Sequence, residues 1–404
     1  MDPSVGALFE ALGLDPSSDT FSEDLVYSIL DTGDLTYDLV SAQMGIPEII
    51  GPSYAGDFWG EDVVNTGRFV STGLYSDIDV QLTDSWGFAA GIRYSRDDKE
   101  FSWAVSERTL DGSSLTSMVD QLYPLLDDLN ASKTWDKLTG RALLRYSYFD
   151  GMVYTSYSSG YKAGGYDSLN PATAMDPFEP ESISNIELGY KGTLFGALRV
   201  QANLYQMDVT DRQEMVFSQL PGSAALVPLV INGDQSIFGA EMIVDWHATD
   251  TWKLGLITEF RDIDSEWEPF YNSQGLLTED ETNTSSATSY TLTSDWSPDW
   301  SFAGGFLKWH LDYVYEQNVA EDRPDLHPVA YTIPGYFNDT QVLNTRVSWQ
   351  SAGGRYEAAI WGQNLTDNTT VGPIEGMAAE ILGTPTVTVS NPRTIGIDFR
   401  YSFF

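Results

Sequence analysis

Residues 160–166 read Gly-Tyr-Lys-Ala-Gly-Gly-Tyr, and they lie between two segments in which apolar and polar residues alternate. The first segment, residues 153–159, runs into this glycine-rich loop, and the chain then passes several prolines before the second segment begins. Alternation predicts a strand with one apolar face, whereas glycine and proline predict a loop. The sequence therefore predicts a strand, a long loop and a second strand.

The same alternation with a period of two continues along the chain from Arg68 onward. Its apolar positions include Trp86, Phe88, Ala90, Ile92 and Tyr94; Leu198, Val200, Ala202 and Leu204; Phe238, Ala240, Met242, Val244 and Trp246; and Leu307, Trp309, Leu311, Tyr313 and Tyr315. The opposite face carries large charged residues such as Arg199, Asp245 and Asp312. A water-filled lumen tolerates such residues and a dry sandwich core does not, so a membrane barrel is favoured.

Short and long connections alternate between these segments. Tight turns are predicted at residues 83–85, 150–151, 195–196, 248–251, 297–299 and 351–354, and long polar loops near 106–138, 163–182, 210–235, 264–287, 317–339 and 368–391. Short turns at one end and long loops at the other are typical of outer-membrane barrels. The sequence therefore predicts an all-β antiparallel transmembrane barrel wall of about thirteen strands.

Composition limits the classes of partner and of chemistry. The net charge is −38, which argues against nucleic acid as a partner, and the chain has no cysteine. Aromatic residues make up 13% of the chain, which suits girdles at membrane interfaces. No window approaches 18 consecutive apolar residues, so no transmembrane helix is predicted.

The motif around residue 160 resembles the barrel of TonB-dependent outer-membrane receptors. In that family a Gly-Tyr-Lys-x-Gly-Gly-Tyr/Phe run precedes Pro-Glu and a Glu-Leu-Gly-x-Lys strand, while Asn-Leu-x-Asp and Pro-Arg come near the end. The matching residues are Gly160, Gly164, Gly165, Pro180, Glu181, Glu187, Gly189, Lys191, Asn364, Leu365, Asp367, Pro392 and Arg393. Because the family's barrels have about 22 strands, the resemblance implies a partial barrel, about 13 of 22.

The resemblance also implies a division of the chain. Residues 67–404 correspond to the C-terminal portion of the barrel domain, and the family's plug domain and TonB box have no counterpart here. Residues 1–66 contain thirteen Asp and Glu and no Lys or Arg. Their apolar residues recur at helical spacing, and Thr20 with Glu23 resembles a capping box. We expect an acidic, extracellular, loop-like segment with two short helices.

The last residues resemble the final strand of outer-membrane proteins, which usually ends on an aromatic residue that the barrel-assembly machinery recognises. Tyr401 and Phe403 match that ending, and Phe404 is one residue beyond the usual stop. The resemblance therefore implies a C-terminal assembly signal, although either phenylalanine can serve as its last residue.

No pattern in the chain indicates an enzyme. There is no phosphate loop and no nucleophile elbow, and the three histidines, His247, His310 and His327, are far apart. Glu241, Asp245 and His247 share one face of a strand, where either a metal site or a polar network in the lumen is possible. The polar network is the simpler interpretation, and we expect no metal and no cofactor.

The resemblance implies an outer-membrane receptor for TonB-dependent uptake of a scarce nutrient, most simply a ferric siderophore. Cobalamin, haem and oligosaccharide receptors share these motifs. The implied partners are outer-membrane lipid and lipopolysaccharide, the barrel-assembly machinery, the nutrient, and TonB–ExbB–ExbD through the plug. Candidate ligand contacts at the extracellular rim are Tyr161, Lys162, Tyr166, Trp267, Tyr271 and Tyr336, each of which also suits packing. The alternative is a passive channel or adhesin-like barrel without energy coupling.

Overall fold

The fold is described from a computed structural model of the 404-residue chain. The structure describes residues 59–60, 63–105, 109–110, 113–114, 126–167, 176–219, 226–271, 277–278, 281–319, 333–372 and 386–403. The predicted helices of residues 1–66 lie outside these ranges. Within them, no helix is long and apolar enough to cross a membrane.

Thirteen strands form one antiparallel sheet. They are β1 (Val63–Gln81), β2 (Trp86–Val105), β3 (Leu126–Tyr148), β4 (Gly151–Lys162), β5 (Glu181–Leu194), β6 (Leu198–Gln219), β7 (Leu226–Thr249), β8 (Trp252–Trp267), β9 (Glu281–Trp296), β10 (Gly305–Glu316), β11 (Thr340–Ser351), β12 (Tyr356–Gln363) and β13 (Thr394–Tyr401). Each strand pairs with its neighbours in sequence, so β1 and β13 are the two edges. Three two-residue strands, Trp59–Gly60, Thr109–Leu110 and Ser113–Ser114, form a separate small sheet. The predicted all-β partial barrel of thirteen strands is confirmed.

The two ends of the sheet differ as predicted. Connections at the short-turn end comprise residues 82–85, 149–150, 195–197, 250–251, 297–304 and 352–355. All six predicted turns lie there. The opposite end, called the loop end below, carries the remaining connections.

Several predicted loops are shorter than the sequence indicated. β3 begins at Leu126, inside the predicted loop 106–138. β6 and β7 occupy most of the predicted loop 210–235. The predicted loop 264–287 likewise yields residues to β8 and β9, and β1 begins at Val63, before Arg68. The alternation of apolar and polar residues is interrupted at these strand ends, by polar runs such as Arg212-Gln213-Glu214 on β6 and by the continuous apolar run 226–231 on β7.

The outer face of the sheet is apolar between two rows of aromatic side chains. Residues opposite each other in an antiparallel pair share a face, which places one row near the short-turn end: Trp86, Tyr146, Trp246, Trp252, Trp296, Trp309, Trp349, Tyr356 and Tyr401. The second row includes Tyr94, Tyr157, Tyr290 and Tyr313. Eight residues separate the two rows on β2, or about 26 Å along the strand. Because strands of membrane barrels tilt by about 35–45°, this length corresponds to a height of about 20 Å, close to the apolar band of about 25 Å in such barrels.

The inner face is held together by charged pairs. Arg141 on β3 donates two 2.8 Å hydrogen bonds to Asp77 on β1, and Arg145 pairs in the same way with Asp79 at 2.9 and 2.7 Å. These side chains cross β2 where it has glycine: a Cβ on Gly91 would lie 2.4 Å from Asp77 Oδ2. Further polar contacts on this face join Asn203 to Glu241, His310 to Asp295 and Arg346 to Asp398. The polar face predicted to line a lumen is therefore a hydrogen-bonded wall.

Strand β13 leaves its apolar residues exposed at the sheet edge. Ile395, Ile397 and Phe399 are 68–78% exposed, and Tyr401 contacts the rings of Tyr356 and Phe403 at 5.2 and 4.8 Å between centroids. Phe404 lies outside the described residues. The role of this ending as an assembly signal stays a prediction.

Candidate functional site

The glycine-rich motif forms a strap across the loop end of the inner face. We define the strap as residues 160–167 and 176–181, which leave β4 and return to β5. Gly165 and Phe178 form an antiparallel bridge, with Gly165 N donating to Phe178 O at 3.3 Å. A Cβ on Gly164 would lie 2.4 Å from Phe178 O and 2.8 Å from the Trp135 ring. Only glycine fits there, which explains this part of the motif.

Beneath the strap is a cluster of aromatic side chains from β2 and β3. Tyr166 stacks on Phe101 with 5.4 Å between ring centroids and meets Trp135 edge-on at 6.3 Å. Phe101, Trp103 and Trp135 are 8%, 1% and 5% exposed, in a sheet where few side chains are buried. The strap and these two strands therefore form the most tightly packed region at the loop end.

Two lysines flank this cluster. Lys99 Nζ lies 5.6 Å from the ring centroids of both Phe69 and Trp135 and donates a hydrogen bond to Gly164 O. Lys133 Nζ lies 5.3 Å from the Trp135 ring and 3.0 Å from Glu179 Oε1. Burial lowers the pKa of Lys99 from its usual value. These contacts bind the strap to β2 and β3 by cation–π attraction and hydrogen bonding.

The other side of the strap is bound to β6 and β7. Asn232, which is 6% exposed, accepts a hydrogen bond from Glu179 N at 3.0 Å and donates to Glu179 O at 3.2 Å. Gln213 donates its side-chain amide to Ala163 O and Glu179 O, while its backbone N donates to Glu181 Oε2 at 3.0 Å. The strap thus ties together strands that are far apart along the chain.

The motif residues of β5, the strand after the strap, surround one tyrosine of the neighbouring strand β4. Tyr154 on β4 donates its hydroxyl to Glu187 on β5, and its ring lies over Gly189, where a Cβ would be 2.1 Å away. Lys191 Nζ lies 5.6 Å from the same ring. The three motif residues of β5 therefore all contact Tyr154.

The second motif forms a corner between β12 and β13. Asn364, 6% exposed and with a φ of 48°, donates to Asn368 O and Asn391 O at 2.8 and 2.9 Å. Its Oδ1 accepts hydrogen bonds from Asn368 N and Thr366 Oγ1. Arg393 pairs with Asp367 at 2.9 Å. The Asn-Leu-x-Asp and Pro-Arg motifs, separate in sequence, thus meet in one structure, which we call the corner.

The structure brings only some of the predicted ligand contacts together. Tyr161 and Tyr166 lie at the strap, where burial, with a contribution from Asp97, raises the pKa of Tyr161 to about 12. Trp267 lies nearby, stacked under Arg212 at 5.0 Å.

The remaining predicted contacts lie apart. Lys162 is exposed at the end of β4, and Tyr271 is exposed beyond β8. Tyr336 lines a separate cavity near the corner. The six residues therefore do not form one site, and their role in binding is untested.

Sequence reasoning missed the residues that hold the strap. Lys99, Trp135, Gln213 and Asn232 lie on four other strands, and no motif marks them. The sequence placed Glu241, Asp245 and His247 on one face of a strand, as a polar network or a metal site. In the structure Glu241 accepts a 3.1 Å hydrogen bond from Asn203. Among the residues that the structure describes, no group of three or more His, Asp or Glu side chains is placed to hold a metal ion.

Comparison with known proteins gives the relationship of the chain. The family model described as "TonB dependent receptor-like, beta-barrel" matches residues 9–365. The pesticin receptor of Yersinia pestis is 25% identical over 343 residues, which are 82% of this chain and 43% of that protein. The chain thus spans less than half the length of this relative.

Solved structures share the fold. The ferric yersiniabactin uptake receptor FyuA from Yersinia pestis is 20% identical, with a TM-score of 0.53 over 86% of this chain and 47% of that one. The copper transporter OprC is 13% identical, with a TM-score of 0.54 over 83% of this chain and 50% of that one. At these identities the likeness concerns the fold alone.

Proposed function

The chain belongs to the family of TonB-dependent receptor-like β-barrels, and on that premise we propose that it serves in outer-membrane uptake of a scarce nutrient, foremost a ferric siderophore. The observation that carries the proposal is the strap, which contains the glycine-rich motif that resembles the family's and folds over the inner wall at the loop end. The ferric yersiniabactin uptake receptor, which shares the fold, supports the siderophore as substrate, whereas the copper transporter supports the uptake role without it.

In this proposal residues 67–404 form part of a barrel wall in the outer membrane of a Gram-negative bacterium. The apolar band faces lipid, the loop end faces the exterior with lipopolysaccharide around it, and residues 1–66 belong to the extracellular side. The energy for transport would come from TonB–ExbB–ExbD through a plug domain, which receptors of this family carry before the barrel. The barrel-assembly machinery would insert the chain by its last strand.

Uptake of radioiron-labelled siderophores by cells expressing the protein in its natural context tests the proposal. We expect uptake in cells with TonB and none in otherwise identical cells that lack it. Diffusion of small hydrophilic solutes that is independent of TonB, with no siderophore uptake, would instead establish the passive channel. The receptor proposal therefore requires that radioiron accumulates in the cells that have TonB. If it does not accumulate there, the proposal is wrong.

A further inference from the structure

The loop end contains a cavity of about 630 Å³, away from the strap, which we call the Tyr336 pocket. One wall consists of residues 316–319, from the last residue of β10 onward, together with Tyr336, Asn338 and Thr340, the last of which begins β11. The facing wall is a two-stranded ribbon, residues 370–372 with 388–390, joined by Gly372 N to Thr388 O at 2.8 Å and Ser390 N to Thr370 O at 3.0 Å. Its volume is within the range of small-molecule sites.

Part of the polar lining builds the walls. Asn318 donates to Tyr336 O at 2.7 Å, and its backbone N donates to Asp339 Oδ1 at 2.9 Å. Asn338 donates to Thr369 O at 3.1 Å, and Ser390 Oγ accepts a hydrogen bond from Thr370 N at 3.0 Å. These amides and this hydroxyl fix the two walls relative to the corner, so the shape of the pocket does not depend on a ligand.

A second part of the lining is unused. Among the described residues, the side-chain polar groups of Gln317, Tyr336 and Thr370 make no hydrogen bond to the protein. Amides and hydroxyls both donate and accept hydrogen bonds. The pocket therefore offers a ligand a mixed set of donors and acceptors that have no hydrogen-bond partner among the described residues.

The charge of the pocket differs from that of the strap. No Lys, Arg or His is among its described lining residues, and Glu316 supplies a single carboxylate. Val319 and Val389, which are 55% and 60% exposed, add apolar surface. Among the described lining residues an anion would find no cation and would be repelled by Glu316, while Lys99 and Lys133 are at the strap.

We propose that the Tyr336 pocket binds a neutral, hydroxyl-rich group such as the sugar rings of an uncharged glycan. Its hydroxyls would pair with Gln317, Tyr336 and Thr370, and the apolar face of a ring would lie on the valines. Such a group occurs in free oligosaccharides and in the sugar chains of bacterial surface lipids. The proposal does not depend on which nutrient the barrel transports.

A glycan array with neutral, acidic and amine-bearing oligosaccharides tests the proposal, with the full-length chain in detergent as the analyte. We expect retention on neutral glycans and none on acidic ones. Retention confined to amine-bearing glycans and lost in Glu316→Gln would make the pocket a cation site and overturn the proposal. Absence of any neutral binder would overturn it too. Competition with free oligosaccharide and with purified lipopolysaccharide then separates the two sources.

Variants locate the binding. Gln317→Leu and Tyr336→Phe each remove one hydrogen-bonding group, and we expect each to weaken neutral-glycan binding about five-fold. Tyr75→Phe, at a tyrosine on β1 that is 73% exposed, is the matched control and should not change it. Circular dichroism checks that the strands remain formed. Full binding by both pocket variants would contradict the assignment.

Discussion

The strap and the corner both carry motifs of one family, yet they are stabilised by different interactions. At the strap, glycines allow a chain segment to lie on buried aromatic rings, and lysines close over the same rings. At the corner, one buried amide makes four hydrogen bonds to backbone and side-chain groups. The comparison shows that two motifs of the same family can stabilise the fold by different interactions. The strap is sensitive to changes in side-chain volume, whereas the corner is sensitive to the loss of hydrogen bonds.

Removal of the ring beneath the strap is the severest test of that difference. Trp135→Ala should lower the free energy of unfolding by about 4 kcal/mol, because a nearly buried indole is lost and the cavity cannot collapse under the sheet. Urea titration of the chain in lipid vesicles measures this. Trp300→Ala, at a 49% exposed position on the short-turn end, is the control and should cost under about 1 kcal/mol. Equal losses would mean that the strap cluster is not a core.

At the corner the corresponding change is Asn364→Ala. We expect a loss of about 3 kcal/mol, since several buried backbone groups would lose their partner at once. Hydrogen exchange should accelerate at the Asn368 amide, which donates to Asn364 Oδ1. Asn283→Ala, at an exposed site on β9, should leave both quantities unchanged. A stable variant with a protected Asn368 amide would show that water replaces the side chain.

A test of volume alone is Gly164→Ala. The added methyl group would press on Phe178 O and Trp135, and overpacking of this kind costs about 2 kcal/mol. Gly353→Ala is the matched control, because nothing lies within 4 Å of its Cβ position. The same urea titration compares the two. If both variants were equally stable, the glycine of the strap would not be required by close packing.

The smallest effect is expected for the exposed ion pair of the corner. Arg393→Met should cost about 0.5 kcal/mol, because both side chains are half exposed and water screens the pair. Added salt should reduce the difference between variant and native chain. A loss of several kcal/mol that persists in high salt would instead give Arg393 a role equal to that of Asn364.

The sequence predicted the barrel wall well where a strand has one face toward lipid and one toward water. Positions such as Ile92 and Leu204 alternate with polar ones because one face is apolar and the other wet. Beyond the aromatic rows this alternation is broken by polar runs, Asp127-Asp128 on β3 and Arg212-Gln213-Glu214 on β6, so these strand ends were taken for loops. Strand number survived this error because the short turns were correct.

The sites were predicted only in part, for a different reason. The strap motif identified its own residues, but Trp135 and Asn232 reach it through strand pairing and through the curvature of the sheet. Neither is visible in local patterns. In the corner, Asn364 and Arg393 were each recognised, although their approach depends on the return path of a long connection. Long-range geometry therefore limited the prediction of sites more than residue chemistry did.

The alternation of short turns with long connections also suggests an order of folding. The entropic cost of closing a loop rises by about 0.6 kcal/mol for each doubling of loop length. Strand pairs joined by short turns, such as β3 with β4, should therefore form first. β13 alone belongs to no short-turn pair, and its partner β12 is separated from it by residues 364–393. The corner shortens that gap in advance, since Asn364 and Asp367 hold its two ends together. It would then act as the nucleus from which the last strand is added.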